Sequence, residues 1–296
     1  MDGTEAYSVT RRPAPALTGL IDGYHGYRLA GFPPGVHRGA PARHMTFIVA
    51  IGPEIDVIQH TNQHDAPRRY RAVLSGLQAS PALIAHDGYQ EGVAIELRPL
   101  ASRALFGLPA RVLWDTTVEL DEVVGTVGRE LAERLDATDD WQARFDACDD
   151  VLLRLLAARS GTARTVAVDP DPVLAAAWRA LDRSDGLASV AEVAASVGWT
   201  RQHLRARFVD ELGMAPKVAG RVMRFELARR ELLSRPVPIA DVAAGTGYYD
   251  QAHLTREFVE LIGCTPGQLR AEELPVFEGK EDLPSVQDGE LVVGAQ

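Results

Sequence analysis

The stretch from Ser189 to Pro266 carries the same residue pattern twice, and no other feature restricts the possible fold as strongly. Five positions of the first copy return 49 residues later, namely Val190, Val193, Ala194, Gly198 and Trp199 as Ile239, Val242, Ala243, Gly247 and Tyr248. Five more, namely His203, Leu204, Phe208, Gly213 and Pro216, return 50 residues later. A repeat that gains one residue only at a glycine-centred break is typical of a short helix, a tight turn and a second helix.

Local signals in both copies support this helix, turn and helix arrangement. Ser189 and Glu192 have the spacing of a capping box for the first short helix. Gly198 follows that helix, where a residue that tolerates a positive φ is needed. Thr200 and Asp250 precede the second helix of each copy and predict its N-terminal caps.

The second helix of each copy has one apolar face and one outward face. The apolar positions fall at i, i+4 and i+8: Leu204, Phe208 and Leu212 in the first copy, and Leu254, Phe258 and Ile262 in the second. At about 100° per residue the outward sets are Gln202, Arg205, Ala206 and Val209, and Ala252, Thr255, Arg256 and Val259. The apolar face predicts a packed core, and the outward face predicts a binding surface.

These residues resemble the DNA-binding domain of the AraC/XylS family of bacterial transcription regulators. The resemblance covers about Pro172 to Leu274 and includes an R-x-x-x-A-x-x-x-L spacing in the joining helix and a closing run, Gly263 to Arg270. It implies that the helices after Thr200 and Asp250 are recognition helices. The DNA-contacting residues that we predict are Arg201, Gln202, Arg205, Ala206, Gln251, Ala252, Thr255 and Arg256.

The sequence departs from the family pattern at three positions. Pro238 stands where the first copy has Ser189, so the second capping box is lost, although proline is accepted in the first turn of a helix. Ala206 and Ala252 are too short to hydrogen-bond to base edges, which leaves apolar contact with a thymine methyl group as their means of recognition.

The net charge of −10 is unusual for a DNA-binding protein, but the acidity lies outside the repeat. Residues 187–270 contain 11 basic and 9 acidic residues, whereas residues 1–186 contain 19 and 25, and residues 271–296 contain 1 and 7. Because phosphate contacts dominate affinity for DNA, so small a basic excess leaves a second hypothesis open, a degenerate helical domain with little affinity for DNA.

The chain length and the order of its segments predict an α+β protein with two folded units. Residues 1–20 are interpreted as a loose lead-in, and short β-type runs broken by Gly and Pro follow from Tyr24 to about Pro99. They predict an antiparallel β-barrel or sandwich, and the resemblance implies a cupin-like sensory barrel. We therefore predict a β-rich sensory domain at 1–115, a helical connector at 116–165, the DNA-binding domain at 166–274 and an acidic tail at 275–296.

The N-terminal part shows no pattern that predicts catalysis. Its histidines are scattered, with no H-x-H pair, and neither a paired-carboxylate nor a nucleophile motif is visible. Two cysteines, Cys148 and Cys264, suggest a reducing compartment, and no segment approaches a membrane span. We therefore expect a cytoplasmic protein without enzymatic activity, metal or cofactor.

A small-molecule effector is nevertheless expected in the β-rich part. Arg43, His44 and Arg98 are candidates for contacting its anionic or polar group, and Tyr27 and Phe47, together with Tyr89, for lining an apolar pocket. Each of these residues is equally compatible with an ordinary surface or core position.

The helical segment Trp141 to Arg159 carries an apolar stripe formed by Phe145, Cys148, Leu152, Leu155 and Leu156. Packing on the barrel of the same chain and a two-fold dimer interface both account for it. The favoured function is a DNA-binding transcription regulator whose partners are double-stranded DNA, an effector, RNA polymerase and a second copy. The alternative is a cupin-type enzyme or ligand-binding module whose helical repeat is an interaction platform.

Overall fold

A computed structural model describes residues 5–162 and 171–272, and it has the predicted α+β organisation. Strands dominate up to residue 119 and helices follow. The strands are β1 Glu5–Arg11, β2 Ile21–Ala30, β3 Gly35–Gly39, β4 Met45–Ala50, β5 Ile55–Gln59, β6 Arg68–Tyr70, β7 Ala72–Ser75, β8 Ala82–His86, β9 Gln90–Leu97 and β10 Thr117–Glu119.

The strands form two antiparallel sheets. The larger sheet has the order β1-β2-β9-β4-β7-β10, and the smaller has the order β3-β8-β5-β6. The sequence prediction of antiparallel strands is confirmed, but the sheets do not close into one barrel. The reason lies in the pairing: β3 and β5 precede and follow β4 in the chain, yet both pair with β8 in the smaller sheet.

The first strand corrects the interpretation of residues 1–20 as a loose lead-in. Residues 5–11 pair with β2 in a continuous antiparallel register, in which Val9 is opposite Gly26. Val9 is buried, and the guanidinium of Arg11 forms ion pairs with Asp146 and Asp149. Tyr7, Val9 and Thr10 favour a strand, and pairing with β2 and these ion pairs order the segment.

The helices continue the chain from the larger sheet to the C-terminal half. They are α1 Ser102–Phe106, α2 Asp121–Val124, α3 Val127–Asp136, α4 Trp141–Thr162, α5 Pro172–Arg183, α6 Val190–Ser196, α7 Arg201–Leu212, α8 Pro216–Ser234, α9 Ile239–Gly245, α10 Gln251–Ile262 and α11 Pro266–Glu272. The predicted helix from Asp121 to Asp136 is two helices, because the chain turns at Gly125, whose φ is 72°.

The apolar stripe of α4 packs inside this chain. Phe145, Cys148 and Leu152 are fully buried, and Leu155 is nearly so. Burial raises the pKa of the Cys148 thiol to about 12, so it remains protonated at neutral pH and acts as a packing residue. Intramolecular packing therefore accounts for most of the stripe.

The apolar core is divided at an unexpected place. One continuous cluster of buried side chains runs from the sheets through α4 into α5, α6, α7 and the first half of α8, and includes Trp178, Phe208 and Met223. A separate cluster, which includes Phe225 and Phe258, joins α8 to α9, α10 and α11. The first copy of the repeat thus shares its core with the β-rich half, whereas the second copy has a core of its own.

Two predicted segments lie wholly or partly outside the described residues. The predicted linker, 160–172, overlaps the end of α4 and the start of α5, and its residues 163–170 are not described. The predicted acidic tail after Leu274 is also outside. Among the described helices, none is both long enough and apolar enough to cross a bilayer.

Candidate nucleic-acid interface

Each copy of the repeat folds as a helix-turn-helix unit, α6 with α7 and α9 with α10. In the first unit the backbone N–H of Glu192 donates to the Ser189 hydroxyl at 3.2 Å, and the N–H of Ser189 donates to the Glu192 carboxylate at 2.8 Å. These two bonds form the predicted capping box. Pro238 caps α9 without any side-chain hydrogen bond, as its chemistry requires.

The recognition helices begin at the predicted caps. Thr200 accepts a hydrogen bond from the N–H of His203 at 3.1 Å, and Asp250 accepts one from His253 at 2.7 Å. The turns before them contain Gly198 with φ of 70° and Gly247 with φ of 77°, both in the left-handed region that favours glycine. The same local chemistry therefore fixes the start of α7 and α10.

Buried side chains hold each recognition helix in place. Leu204, Phe208 and Leu212 are fully buried on α7, and Leu254, Phe258 and Ile262 on α10. An aromatic pair also recurs, with Trp199 edge-on to His203 at 4.7 Å between ring centroids and Tyr248 edge-on to His253 at 5.2 Å. These contacts fix the rotation of each helix, so the opposite face points to solvent.

The predicted DNA-contacting residues lie on that solvent face. Seven of them are exposed, namely Arg201, Gln202, Arg205, Ala206, Gln251, Ala252 and Arg256, and Thr255 is half-buried. Within the described parts of the chain, Arg201, Arg205 and Arg256 form no ion pair. Arg207 on α7, by contrast, pairs with Asp171 at 3.1 Å. The structure thus brings the predicted residues together as two polar faces with unpaired guanidinium groups.

One exposed residue beside α10 was missed by the sequence reasoning. Tyr249 is 92% exposed and directly precedes the cap residue Asp250. It occupies the position at which the second copy gains one residue, and that insertion is the signal that could have identified it. Because Tyr249 lies at the start of the recognition helix, beside Asp250 and Gln251, we include it in the candidate interface.

The predicted effector residues all contact carboxylates. His44 and Arg98 both bind Asp22, at 2.6 Å from His44 Nε2 and 2.8 Å from Arg98 Nε. Burial alone would raise the pKa of Asp22, but the hydrogen bonds from His44 and Arg98 lower it to about 2. Arg43 instead reaches the C-terminal half, where it binds three carboxylates. A role of these three residues in binding an effector stays a prediction.

A cavity of about 250 Å³ lies between the two sheets and ends at α8. Its wall is mainly apolar, and α8 contributes Glu226 and Arg229. Burial, with His86 and Arg229 nearby, lowers the pKa of His37 in this wall to about 4, so its imidazole is neutral at pH 7. A second cavity of about 510 Å³ shares Tyr27, Ile55 and Gln90 with the first.

The predicted pocket residues fall on different sides of the larger sheet. Tyr27 lines both cavities and Tyr89 lines the second one. Phe47 is buried in the main apolar core, edge-on to Phe106 at 6.3 Å, and lines neither cavity. Alternation along β4 explains the difference, because Thr46 and Ile48 on its other face line the first cavity.

Comparisons with known proteins agree with the folded repeat. A family model described as a helix-turn-helix domain matches residues 193–272. A putative AraC-like transcription regulator from Streptomyces antibioticus is 33% identical over 106 residues, which are 36% of this chain and 35% of that protein. An uncharacterised HTH-type transcriptional regulator from Staphylococcus aureus is 28% identical over 106 residues, which are 36% of this chain and 14% of that protein. The matches therefore span about a third of the first relative and less of the second.

Solved structures extend the fold comparison to most of the chain. An apo variant of ToxT from Vibrio cholerae aligns with 88% of this chain and 99% of its own at 10% identity, with a TM-score of 0.51. ToxT with a bound unsaturated fatty acid aligns with 91% and 95% at 10% identity, with a TM-score of 0.50. The C-terminal part of this chain is thus a helix-turn-helix domain similar to that of an AraC-like regulator, and most of the chain shares the overall fold of ToxT.

Proposed function

We propose that this chain is a sequence-specific DNA-binding transcription regulator whose β-rich half responds to a small molecule. The observation that carries the proposal is the pair of capped recognition helices, each with a buried apolar face and an exposed polar face. Unpaired arginines at Arg205 and Arg256 supply donors of the kind that bind guanine O6 and N7. Since the relatives are transcription regulators, they favour this function over the cupin-type enzyme.

The selection of bound sequences from a randomised DNA pool tests the proposal. Arg205→Ala and Arg256→Ala should each cost about 1 to 3 kcal/mol of specific binding and relax the preference at one or two base pairs. The two affected positions should lie about one helical turn, roughly 34 Å, apart. Arg207→Ala is the matched control, because Arg207 is on α7 but is paired with Asp171.

Two outcomes would contradict this assignment. If both variants keep the wild-type motif and bind every sequence more weakly, the arginines contact phosphates and the reading face is wrong. If the full chain binds no DNA fragment more tightly at low salt than at high salt, the degenerate helical domain is the better hypothesis, because phosphate contacts make affinity fall with salt.

For the effector we propose a molecule with an apolar body, bound in the cavity between the sheets. The apolar wall of this cavity supports the proposal, as does the overall fold that the chain shares with ToxT, one of whose structures contains an unsaturated fatty acid. Oleate is therefore a suitable first probe, and titration calorimetry is the measurement.

A cavity-filling substitution locates the binding of oleate. Ala94 lines the cavity, so Ala94→Phe should weaken binding about tenfold or more by occupying the space of the ligand. Ala6→Phe adds the same side chain at an exposed position of β1 and should leave binding unchanged. Equal oleate affinities of the two variants would place the ligand elsewhere.

A second copy of the chain and RNA polymerase complete the proposed set of partners. The sequence pattern that suggested dimerisation is now largely occupied by packing within the chain. Packing within one chain thus covers most of the α4 stripe without a second copy. Sedimentation of the full chain, with and without a two-site DNA fragment, measures its oligomeric state.

A further inference from the structure

Arg43 connects the β-rich half to the DNA-binding half through three carboxylates. It lies between β3 and β4 and its side chain is only 15% exposed. Its Nη1 binds Asp182 at 2.8 Å, its Nη2 binds Asp185 at 2.8 Å, and its Nε binds Glu226. All three sides of the guanidinium are thus engaged by charged groups that are more than 135 residues away in sequence.

The three carboxylates belong to two elements that are packed on each other. Asp182 is in the last turn of α5, Asp185 is in the turn that follows, and Glu226 is in the middle of α8. Gly186 and Gly220 bring that turn and α8 into close backbone contact, since a Cβ at Gly186 would overlap the carbonyl of Gly220. Three carboxylates that converge at one point repel one another unless a cation lies between them.

The two helix-turn-helix units differ in how they are attached to the β-rich half, and Arg43 contacts the helix between them. The first unit shares its apolar core with the sheets, and Arg103 adds a two-pronged bond to Glu211 on α7 at 2.7 Å. The second unit has a separate core, which includes Phe225 of α8, whereas Ala219 and Met223 of α8 belong to the first core. Its polar contacts with the β-rich half include Arg38, which binds Glu272 at 3.1 Å. Arg43 holds α8, the helix that links the two units.

The wall of the cavity and the partners of Arg43 overlap. Glu226 lines the cavity and accepts the hydrogen bond from Arg43 Nε. The chain segment just before Arg43, residues Ala40 to Ala42, also lines the cavity. Ala40 in addition packs against the apolar core of the second unit. A molecule in the cavity therefore contacts groups that hold α8.

We propose that Arg43, Asp182, Asp185 and Glu226 form an electrostatic latch that fixes α8 and the second helix-turn-helix unit against the sheets. Occupancy of the cavity acts on this latch through Glu226 and the segment Ala40 to Ala42. The latch regulates the position of one recognition helix relative to the other. Its effect on gene control rests on the proposed function, whereas its existence does not.

Amide hydrogen exchange in the full chain tests the latch without DNA or ligand. Arg43→Ala should speed exchange in α8 and in the second unit by about tenfold or more, because charge-assisted bonds that oppose local opening are lost. Arg71→Ala is the matched control, since Arg71 is also partly buried and pairs with Asp136 of α3, outside the DNA-binding half. It should leave α8 unchanged. Equal exchange of α8 in the wild type and in both variants would overturn the proposal.

A second variant separates loss of the latch from simple repulsion. Arg43→Ala combined with Asp182→Asn, Asp185→Asn and Glu226→Gln removes the uncompensated negative charge. The latch predicts that exchange in α8 stays fast in this variant, because the bonds to the sheets are absent. A return to the wild-type rate would show that repulsion alone caused the change, and would refute the latch.

The coupling to the cavity is tested with the same oleate probe. Oleate should change the exchange of residues 182–187 and of α8 in the wild type, and should have no effect there in Arg43→Ala. Equal responses in the two proteins would refute the coupling. If calorimetry detects no binding of oleate, the ligand class in the proposed function is wrong, and the comparison of variants without ligand still decides whether the latch exists.

Discussion

Phe258→Ala should make the second helix-turn-helix unit unfold at a lower urea concentration than the rest of the chain. The Phe258 ring is fully buried and lies edge-on to Phe225 at 4.8 Å between centroids. Removal of a buried phenylalanine side chain costs about 3 to 5 kcal/mol of folding stability, because the free energy of burying the ring is lost and a cavity remains. A core stabilised by roughly 5 to 15 kcal/mol loses a large fraction of its stability in this way.

Phe208→Ala is the matched substitution in the first unit. Phe208 is also fully buried, with its ring 6.1 Å from that of Trp178, so the expected cost is again about 3 to 5 kcal/mol. It belongs, however, to the cluster that is continuous with the sheets, whereas Phe258 belongs to the separate cluster. The two substitutions should therefore differ in how much of the chain unfolds, and not in their local cost.

Urea denaturation with two probes distinguishes these outcomes. The four tryptophans are Trp114, Trp141, Trp178 and Trp199, and all lie outside the second unit. In Phe258→Ala, far-UV circular dichroism should therefore show an additional transition at low urea concentration, at which tryptophan fluorescence does not change. Phe208→Ala should shift both signals together. If Phe258→Ala lowers the fluorescence midpoint as much as Phe208→Ala does, the two cores unfold as one and our division of the core is wrong.

Three further predictions concern the rest of the chain. The double variant Leu152→Glu, Leu155→Glu should abolish cooperative unfolding of the β-rich half, because each buried charge is left without a partner. If sedimentation instead finds a folded monomer, these leucines belong to a dimer interface. The pKa of Asp22 is lowered to about 2 in the folded chain, so the ionised carboxylate stabilises the fold fully above pH 4, and this stabilisation is lost as the pH falls towards 2. Asp22→Asn should remove this part of the acid dependence of stability, as measured by urea titrations at several pH values. Ser189→Ala should cost about 0.5 to 2 kcal/mol and speed amide exchange in α6 only; unchanged exchange would show that the capping box contributes nothing.

The sequence by itself determined the helix-turn-helix part. Helix caps, a left-handed glycine and an apolar stripe depend on residues within about four positions of one another, so a local pattern is sufficient to specify them. The capping box at Ser189, the caps at Thr200 and Asp250, and the buried faces of α7 and α10 all follow the sequence prediction. The exposure of Arg205 and Arg256 was predictable for the same reason, because positions outside the apolar stripe of such a helix face solvent.

Only the tertiary structure decided which segments of the chain contact one another over long sequence separations. Strand β1 is ordered by pairing with β2 and by ion pairs to α4, and neither partner is visible in its own sequence. Arg43 is a single arginine on a short connection between strands, and its three carboxylates come from elements that the chain reaches more than 135 residues later. The contacts of Arg43 depend on how the sheets pack against α5 and α8, and no local sequence periodicity specifies that packing.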